Sequence, residues 1–452
     1  MLRGKYWNEE LETMPLQKLR NIEGEQLIQQ VHYSYYCSKF YREKFDKIGL
    51  KPSDIRGIDD LHKIPFTAKT EIRDSQVTEP PFGFHLAASL NKVVRIHTTS
   101  GTTGNPVILP QTKRDLDVAY ECAARCYWTA GMRPGDVVMN LHAMCQFTGG
   151  LGPCGAVESL GACIVPVGAE SGTERILRLI KLIKPNILLG TPSFVEHLAN
   201  AVPRVLGPEV KARDLGVRVL IVSGEPGGSI PSVRKTLENY WGAQVFDWGG
   251  IGDVNVFMWL DCADKHEGLH YMAQGAVICE LINPESLEPI EMKPNGEYEG
   301  ELIYTHIDKE AAPLLRFRTR DNVTVNTYPC ECGRTSYRIF YKGRTDDMLI
   351  VKGVNVFPSA IKDVVNEFLP ETTGVFKIIL SKDDPAPKVT PPLKIKVEYG
   401  KAVKEESLAD LKNRMEKVIQ NKLVFKPEVT LVPPDSIEKG VWKTQLIEKE
   451  KV

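Results

Sequence analysis

The sequence predicts an α/β fold in two parts: a large N-terminal α/β domain with mostly parallel sheets over residues 1–344, and a small C-terminal α+β domain over 345–452. Three observations carry this. The chain has 452 residues, more than one ordinary hydrophobic core supports, so a larger and a smaller unit are expected. From about residue 92 to 320, short apolar runs alternate with helical patterns, the order that builds a largely parallel sheet. After about residue 345 the alternation gives way to a few strands around one Lys- and Glu-rich helix.

In chain order, residues 24–46 show helical spacing, anchored by Val31, Tyr35, Phe40 and Tyr41. VVMNL (137–141), CIVPV (163–167), ILLGT (187–191), RVLIVSG (218–224) and QVFDWGG (244–250) read as strands ending in Gly or polar turns. Helical stretches at 172–184, 193–201 and 230–241 separate them. In such a sheet, ligands belong in the loops at the carboxyl ends of the strands. The junction GRTDDM (343–348) leads into KIIL (377–380), LKIKVEY (393–399) and EVTLV (428–432) as strands, with a helix at 405–421 and a loop at 381–392.

Composition excludes several function classes. Hydrophobic content of 42% and charged content of 25% are those of a globular protein. A net charge of -1 gives no pull toward nucleic acid or an acidic membrane. No apolar run approaches the ~18 residues that span a bilayer. The start, MLRGKYWNEELETMPLQ, is charged within ten residues and lacks the apolar core of a secretory signal. A cytoplasmic location is therefore expected, with no nucleic-acid or membrane partner. Of ten cysteines, Cys122, Cys126, Cys163 and Cys279 sit singly in apolar surroundings and are expected to be small buried hydrophobes.

The sharpest motif is HTTSGTTGNP, His97 to Pro106. A strand runs into a loop of hydroxyl residues and glycines. Phosphate oxygens need many donors at close range. Gly101 and Gly104 let the backbone approach, and Thr99, Ser100, Thr102 and Thr103 bring hydroxyls. No Lys-Ser/Thr pair closes the loop, so it is not a Walker A motif.

This loop resembles the phosphate-binding loop of adenylate-forming enzymes, and the chain resembles their phenylacetate-CoA ligase branch. FTGGLG, GTPSF, GEP, PLLRFRTRD, CxCGRT, GRTDDM and VKGVNVFPS all match that branch in order. The resemblance implies an AMP-forming ligase that uses ATP and Mg²⁺ to adenylate an aromatic carboxylic acid and then passes the acyl group to CoA. An amine or hydroxyl acceptor is the alternative. A homodimer is one compatible assembly.

The resemblance also implies roles. Gly224, Glu225 and Pro226 would line the adenine. The family's tyrosine-glycine-x-serine/threonine-glutamate motif falls on Gly249, Gly250, Ile251, Gly252 and Asp253. The stacking tyrosine and the hydroxyl are missing, Trp248 is available to take up some of the space, and Asp253 keeps a shorter carboxylate for Mg²⁺. Asp321 would hold the ribose hydroxyls and Arg344 the ribose and phosphate. Asp346 would be the hinge about which a mobile C-terminal domain turns. Gly353 would flank the pantetheine tunnel, and Lys443 would offset charge at the α-phosphate, with Lys439 as runner-up.

Two further clusters bear on chemistry. In NLHAMCQFTGG, His142, Gln146, Phe147 and Gly149 would line the acyl pocket. A histidine and an amide would be left unsatisfied by a plain phenyl group, so a polar-substituted acid (hydroxyl, amino or a second carboxylate) is expected. Cys330 and Cys332 in PCECGR, with Cys262 and a histidine of DCADKHEGLHY, make a three-thiolate, one-imidazole set suited to structural Zn²⁺. The histidine is His266 or His270, and the resemblance favours His270.

Overall fold

The computed structural model describes residues 4–99, 106–262, 266–344, 349–351, 354–381, 388–437 and 446–449. The chain divides into two compact units. The second comprises Tyr341–Val452 with two short segments, Ile230–Val233 and Arg320–Val323.

Thirteen strands precede residue 345 among the described residues: β1 (Val93–Thr98), β2 (Ile108–Thr112), β3 (Val137–Asn140), β4 (Cys163–Pro166), β5 (Ile187–Gly190), β6 (Val219–Val222), β7 (Gln244–Ile251), β8 (Asn255–Asp261), β9 (Leu269–Tyr271), β10 (Val277–Ile282), β11 (Glu297–His306), β12 (Phe317–Asn326) and β13 (Arg338–Arg344). The helices are α1 (Glu9–Glu12), α2 (Leu16–Cys37), α3 (Lys39–Asp46), α4 (Lys69–Thr78), α5 (Lys113–Thr129), α6 (Thr148–Leu160), α7 (Thr173–Ile183), α8 (Pro192–Leu206) and α9 (Pro231–Trp241).

β1 and β2 form a separate hairpin, and the other eleven strands lie in one sheet. The sheet is mixed rather than mostly parallel. β4-β3-β5-β6-β7 run parallel, whereas β7, β8 and β9 pair antiparallel, as do β13 with β9 and β10 with β11. The reason lies in the connections. Helices cross between the parallel strands, but only three residues join β7 to β8, too few for a crossover helix. β5 and β6 are buried at every position, as expected where helices cover both faces.

Residues 24–46 form two helices, broken at Ser38, and pack Leu27, Val31, Tyr41 and Phe45 on Leu315 and Ile278. Cys122 and Cys126 are buried as expected, but Cys163 is exposed, because β4 is the edge strand of the sheet.

The second unit has its own core, in which Val364, Val365, Phe376, Ile378, Ile395 and Met415 are buried. Its helix Leu408–Leu423 and strands Thr372–Leu380, Leu393–Tyr399 and Pro427–Val432 occupy the stretches expected of them.

Candidate active site

The carboxyl ends of β3, β5, β6 and β7 carry His142, Thr191, Ser223–Glu225 and Gly249–Asp253 respectively, where a doubly wound sheet binds ligands.

The phosphate-loop candidate is the connection between β1 and β2, which pair from Val93↔Thr112 to Thr98↔Ile108. Its neck is closed twice. Thr99 N donates to Val107 O at 3.0 Å, and Val107 N donates to Thr99 Oγ1 at 3.1 Å. Thr98 bridges in parallel to Phe147, and Thr98 N donates to Gln146 O at 2.9 Å. His97 Nδ1 lies 3.2 Å from the same carbonyl, and burial lowers its pKa, favouring the neutral ring. The neck is thereby fastened to the 140–150 segment, expected to line the acyl pocket. Ser100, Gly101, Thr102, Thr103 and Gly104 lie outside the described residues, as do Asp346, Gly353, Lys439 and Lys443.

In that segment Asn140 accepts from His142 N (3.1 Å) through Oδ1 and donates to Gly150 O (2.8 Å) through Nδ2. Gly150 has no alternative, since a Cβ there would sit 2.1 Å from Ala143 O. Glu170 accepts from Met144 N at 2.9 Å. His142 is buried, stands edge-on to Trp248 with ring centres 5.5 Å apart, and places Nε2 3.4 Å from Ser223 Oγ. Burial pulls its pKa down to about 4, so the imidazole is neutral near pH 7. Phe147 and Gly149 are partly buried. Gln146 departs from expectation. Its side chain is exposed, and the group it contributes is the backbone carbonyl that holds Thr98 and His97.

Among the residues expected to meet the nucleotide, Gly224 adopts φ +88°, a left-handed turn suited to glycine. Glu225 Oε1 accepts from Ser193 N at 2.8 Å, in the first turn of α8. Pro226 is exposed. Trp248, the residue available beside the missing tyrosine, packs inward. It is 3% exposed, stacked on Phe257 at 5.2 Å, and its indole N–H donates to Val256 O. The register shifts between Gly249 and Ile251, a bulge of the kind that re-aims chain beside active sites. At Gly250 a Cβ would meet Val256 O at 2.3 Å. The Asp253 side chain is 9% exposed, and its Oδ2 lies 2.8 Å from Lys69 Nζ. Asp321 and Arg344 pair at 3.6 Å.

Asp247, one residue before Trp248, is pushed up to about 7 by burial, against the hydrogen bond it accepts from Ser229. Lys69, Ser223 and Glu170 escaped the sequence reading. Nothing along the chain pairs Lys69 with Asp253, 184 residues away.

The metal candidate assembles as expected. Ligand atoms of Cys262, His270, Cys330 and Cys332 all lie within 4.8 Å of one another. A tetrahedral Zn²⁺ with Zn–S of ~2.3 Å and Zn–N of ~2.0 Å separates its sulfurs by about 3.8 Å and sulfur from nitrogen by about 3.5 Å. The cluster has Cys330 Sγ 3.9 Å from Cys262 Sγ, and Cys332 Sγ 3.4 Å from His270 Nε2. His270 Nδ1 lies 3.2 Å from Ser336 Oγ, the outer contact that orients a ligating imidazole. Hydrogen bonding to Cys262, then to His270, holds the Cys332 thiol far below its ordinary value. His266 is engaged elsewhere, with Nδ1 3.0 Å from Asp261 Oδ2.

The N-terminal segment buckles onto this knuckle. Tyr6 Oη donates to Cys332 O (2.6 Å), Thr335 N donates to Glu12 O (3.1 Å), and buried Arg334 pairs with buried Glu12 at 2.8 Å.

Comparison with known proteins gives the family. A family model for AMP-binding enzymes matches residues 43–305, and one for the AMP-binding enzyme C-terminal domain matches 353–451. The phenylacetate-coenzyme A ligase of Thermus thermophilus is 33% identical over 439 residues, covering 94% of this chain and 95% of its own. That of Escherichia coli is 33% identical over 362 residues, covering 79% and 78%. A crystal structure of 2-hydroxyisobutyryl-CoA ligase in the postadenylation state superimposes with a TM-score of 0.90 at 26% identity, covering 100% of this chain and 93% of that one. Among the described residues no helix is long and apolar enough to cross a membrane. With both domain families matched in order and full-length relatives above 30% identity, the chain belongs to the AMP-binding, adenylate-forming enzymes, in their phenylacetate-CoA ligase branch, and is an AMP-forming carboxylate–CoA ligase.

Proposed function

We propose that this ligase activates an aromatic carboxylic acid bearing a polar substituent: a hydroxyl, an amino group or a second carboxylate. The supporting observation is His142, a buried neutral imidazole at the carboxyl end of β3 whose Nε2 faces Ser223 across 3.4 Å. At 3.4 Å the Ser223 contact is a long one, so the buried imidazole favours a substrate that offers it a closer polar partner over a wholly apolar ring.

In this reading the substrate carboxylate attacks the α-phosphate of ATP, the acyl–phosphate bond forms, and pyrophosphate leaves. The 99–104 loop and Lys443 meet the developing charge. Gly224–Pro226 and Gly249–Gly250 line the adenine, and Asp321 and Arg344 take the ribose. Asp253 fits Mg²⁺, which commonly binds through one or two carboxylates plus substrate phosphates and would neutralise phosphate charge there. The domain 345–452 then turns about Asp346, and the CoA thiolate, entering past Gly353, forms the thioester as AMP leaves. Cys262, His270, Cys330 and Cys332 would hold Zn²⁺ in a structural role.

The likeness to 2-hydroxyisobutyryl-CoA ligase supports a second reading, a short 2-hydroxy acid. A pyrophosphate-release screen decides, using substituted benzoates, phenylacetate and 2-hydroxyisobutyrate with and without CoA. Polar benzoates should lead, with turnover dependent on CoA. Preference for phenylacetate sinks the polar-substituent reading, and pyrophosphate release indifferent to CoA sinks the thiol acceptor. His142→Phe should flatten the preference for polar rings.

A further inference from the structure

We infer that Lys69 is a resident counter-ion of Asp253 that a divalent metal must displace, so that this lysine sets how readily the site takes Mg²⁺. The inference rests on Asp253 being the magnesium carboxylate. Among the described residues, Lys69 is the cation paired with Asp253, with Nζ 2.8 Å from Oδ2.

The pairing is built from both sides. Lys69 is the first residue of α4, and the chain before it is pinned to the start of β12. Thr67 bridges Phe317 in parallel, Thr67 N donates to Arg316 O at 2.9 Å, and Arg318 N donates to Thr67 O at 3.0 Å. Arg316 Nη1 donates to the carbonyls of His62 and Ile64, each at 3.0 Å. Ala68 N donates to Glu71 Oε2 at 2.7 Å. The ammonium therefore hangs from a fixed post and moves only through its own stem. The two side chains are unequal: that of Asp253 is 9% exposed and that of Lys69 37%. The carboxylate is the fixed partner, and the lysine has solvent to retreat into.

A carboxylate oxygen held by an ammonium is withdrawn from a metal. Apparent affinity falls by the fraction of time that the competent form is present. The lysine in return keeps a nearly buried carboxylate compensated before metal arrives, when an unpaired charge would be costly.

The test is Mn²⁺ binding, followed by the free-ion electron paramagnetic resonance signal, with α,β-methylene-ATP saturating. Lys69→Met should tighten Mn²⁺ binding about two- to fivefold, the range that a partly exposed ion pair implies. Lys69→Arg should stay near wild type. Unchanged or weaker binding in Lys69→Met overturns the inference, and Lys69→Gln repeats the measurement if the Met variant folds poorly. Asp253→Asn separates the two ideas. If it weakens Mn²⁺ binding while Lys69→Met changes nothing, only the counter-ion role fails. If Asp253→Asn leaves Mn²⁺ binding intact, the magnesium assignment itself fails and takes this inference with it.

Discussion

Glu12→Ala should be among the most damaging single changes outside the candidate active site. The Glu12 carboxylate is fully buried. It accepts from Arg334 Nε at 2.9 Å and Nη2 at 2.8 Å through Oε2, and from Asn8 N at 2.9 Å through Oε1. The Arg334 side chain is 3% exposed and also donates to Thr129 Oγ1 at 2.6 Å. Truncating Glu12 removes the carboxylate that pairs with this buried guanidinium, which costs ~3–5 kcal/mol. An exposed pair such as Glu174–Arg178 contributes only ~0.3–0.5 kcal/mol by comparison. Arg334 follows Cys332 by two residues, and Tyr6 holds the Cys332 carbonyl, so the damage should reach the metal knuckle. Denaturant unfolding and zinc release to a chromogenic chelator are the assays. Glu12→Ala should lose stability in that range and release zinc faster, and Glu12→Ala/Arg334→Met should recover part of the loss by removing the buried guanidinium. A Glu12→Ala protein within ~0.5 kcal/mol of wild type, the level of an ordinary surface change, would refute the reasoning.

Three further outcomes are expected. Burial raises the Glu23 carboxyl from 4.5 to about 7, against the hydrogen bond from Gly275 N. A folded-state pKa above the unfolded one contributes stability that is present below 4.5 and lost as pH rises through 7. Glu23→Gln should therefore match wild type near pH 4 and exceed it at pH 8 by up to ~3 kcal/mol, and a thermal-unfolding difference that does not vary with pH would contradict this. Thr99→Val removes the acceptor for Val107 N, a bond that closes the neck of the expected phosphate loop; an orphaned donor costs ~1–3 kcal/mol, so the melting temperature should fall and KM for ATP should rise, and an unaltered KM counts against the neck. Cys330→Ser should lower bound zinc measured by elemental analysis and speed proteolysis within residues 4–14, whereas full zinc retention removes Cys330 from the ligand set.

The strands of the parallel half were legible because each is a short, near-continuous apolar run: the central ILLG and VLIV are buried at every position, and burial on both faces leaves a compositional trace. The antiparallel half was not. Its direction depends on connection length and pairing partners, as at the three-residue link between β7 and β8, and apolar content is indifferent to direction. The metal set was half legible. Two cysteines in one knuckle are local, but choosing His270 over His266 by geometry needs β9 paired with β13, where Arg338 lies opposite His270.

The phosphate-loop motif, the two-domain order and the family are properties of the sequence itself, because hydroxyl-rich loops, strand periodicity and junction motifs are local patterns. The tertiary structure decided what each side chain faces. Trp248 turned into the core, Gln146 kept only its carbonyl in use, and Asp253 met Lys69 across a sequence separation of 184. Side-chain direction at a bulge or helix start, and contact between distant segments, follow from sheet register and packing, which one sequence read along its length does not encode locally.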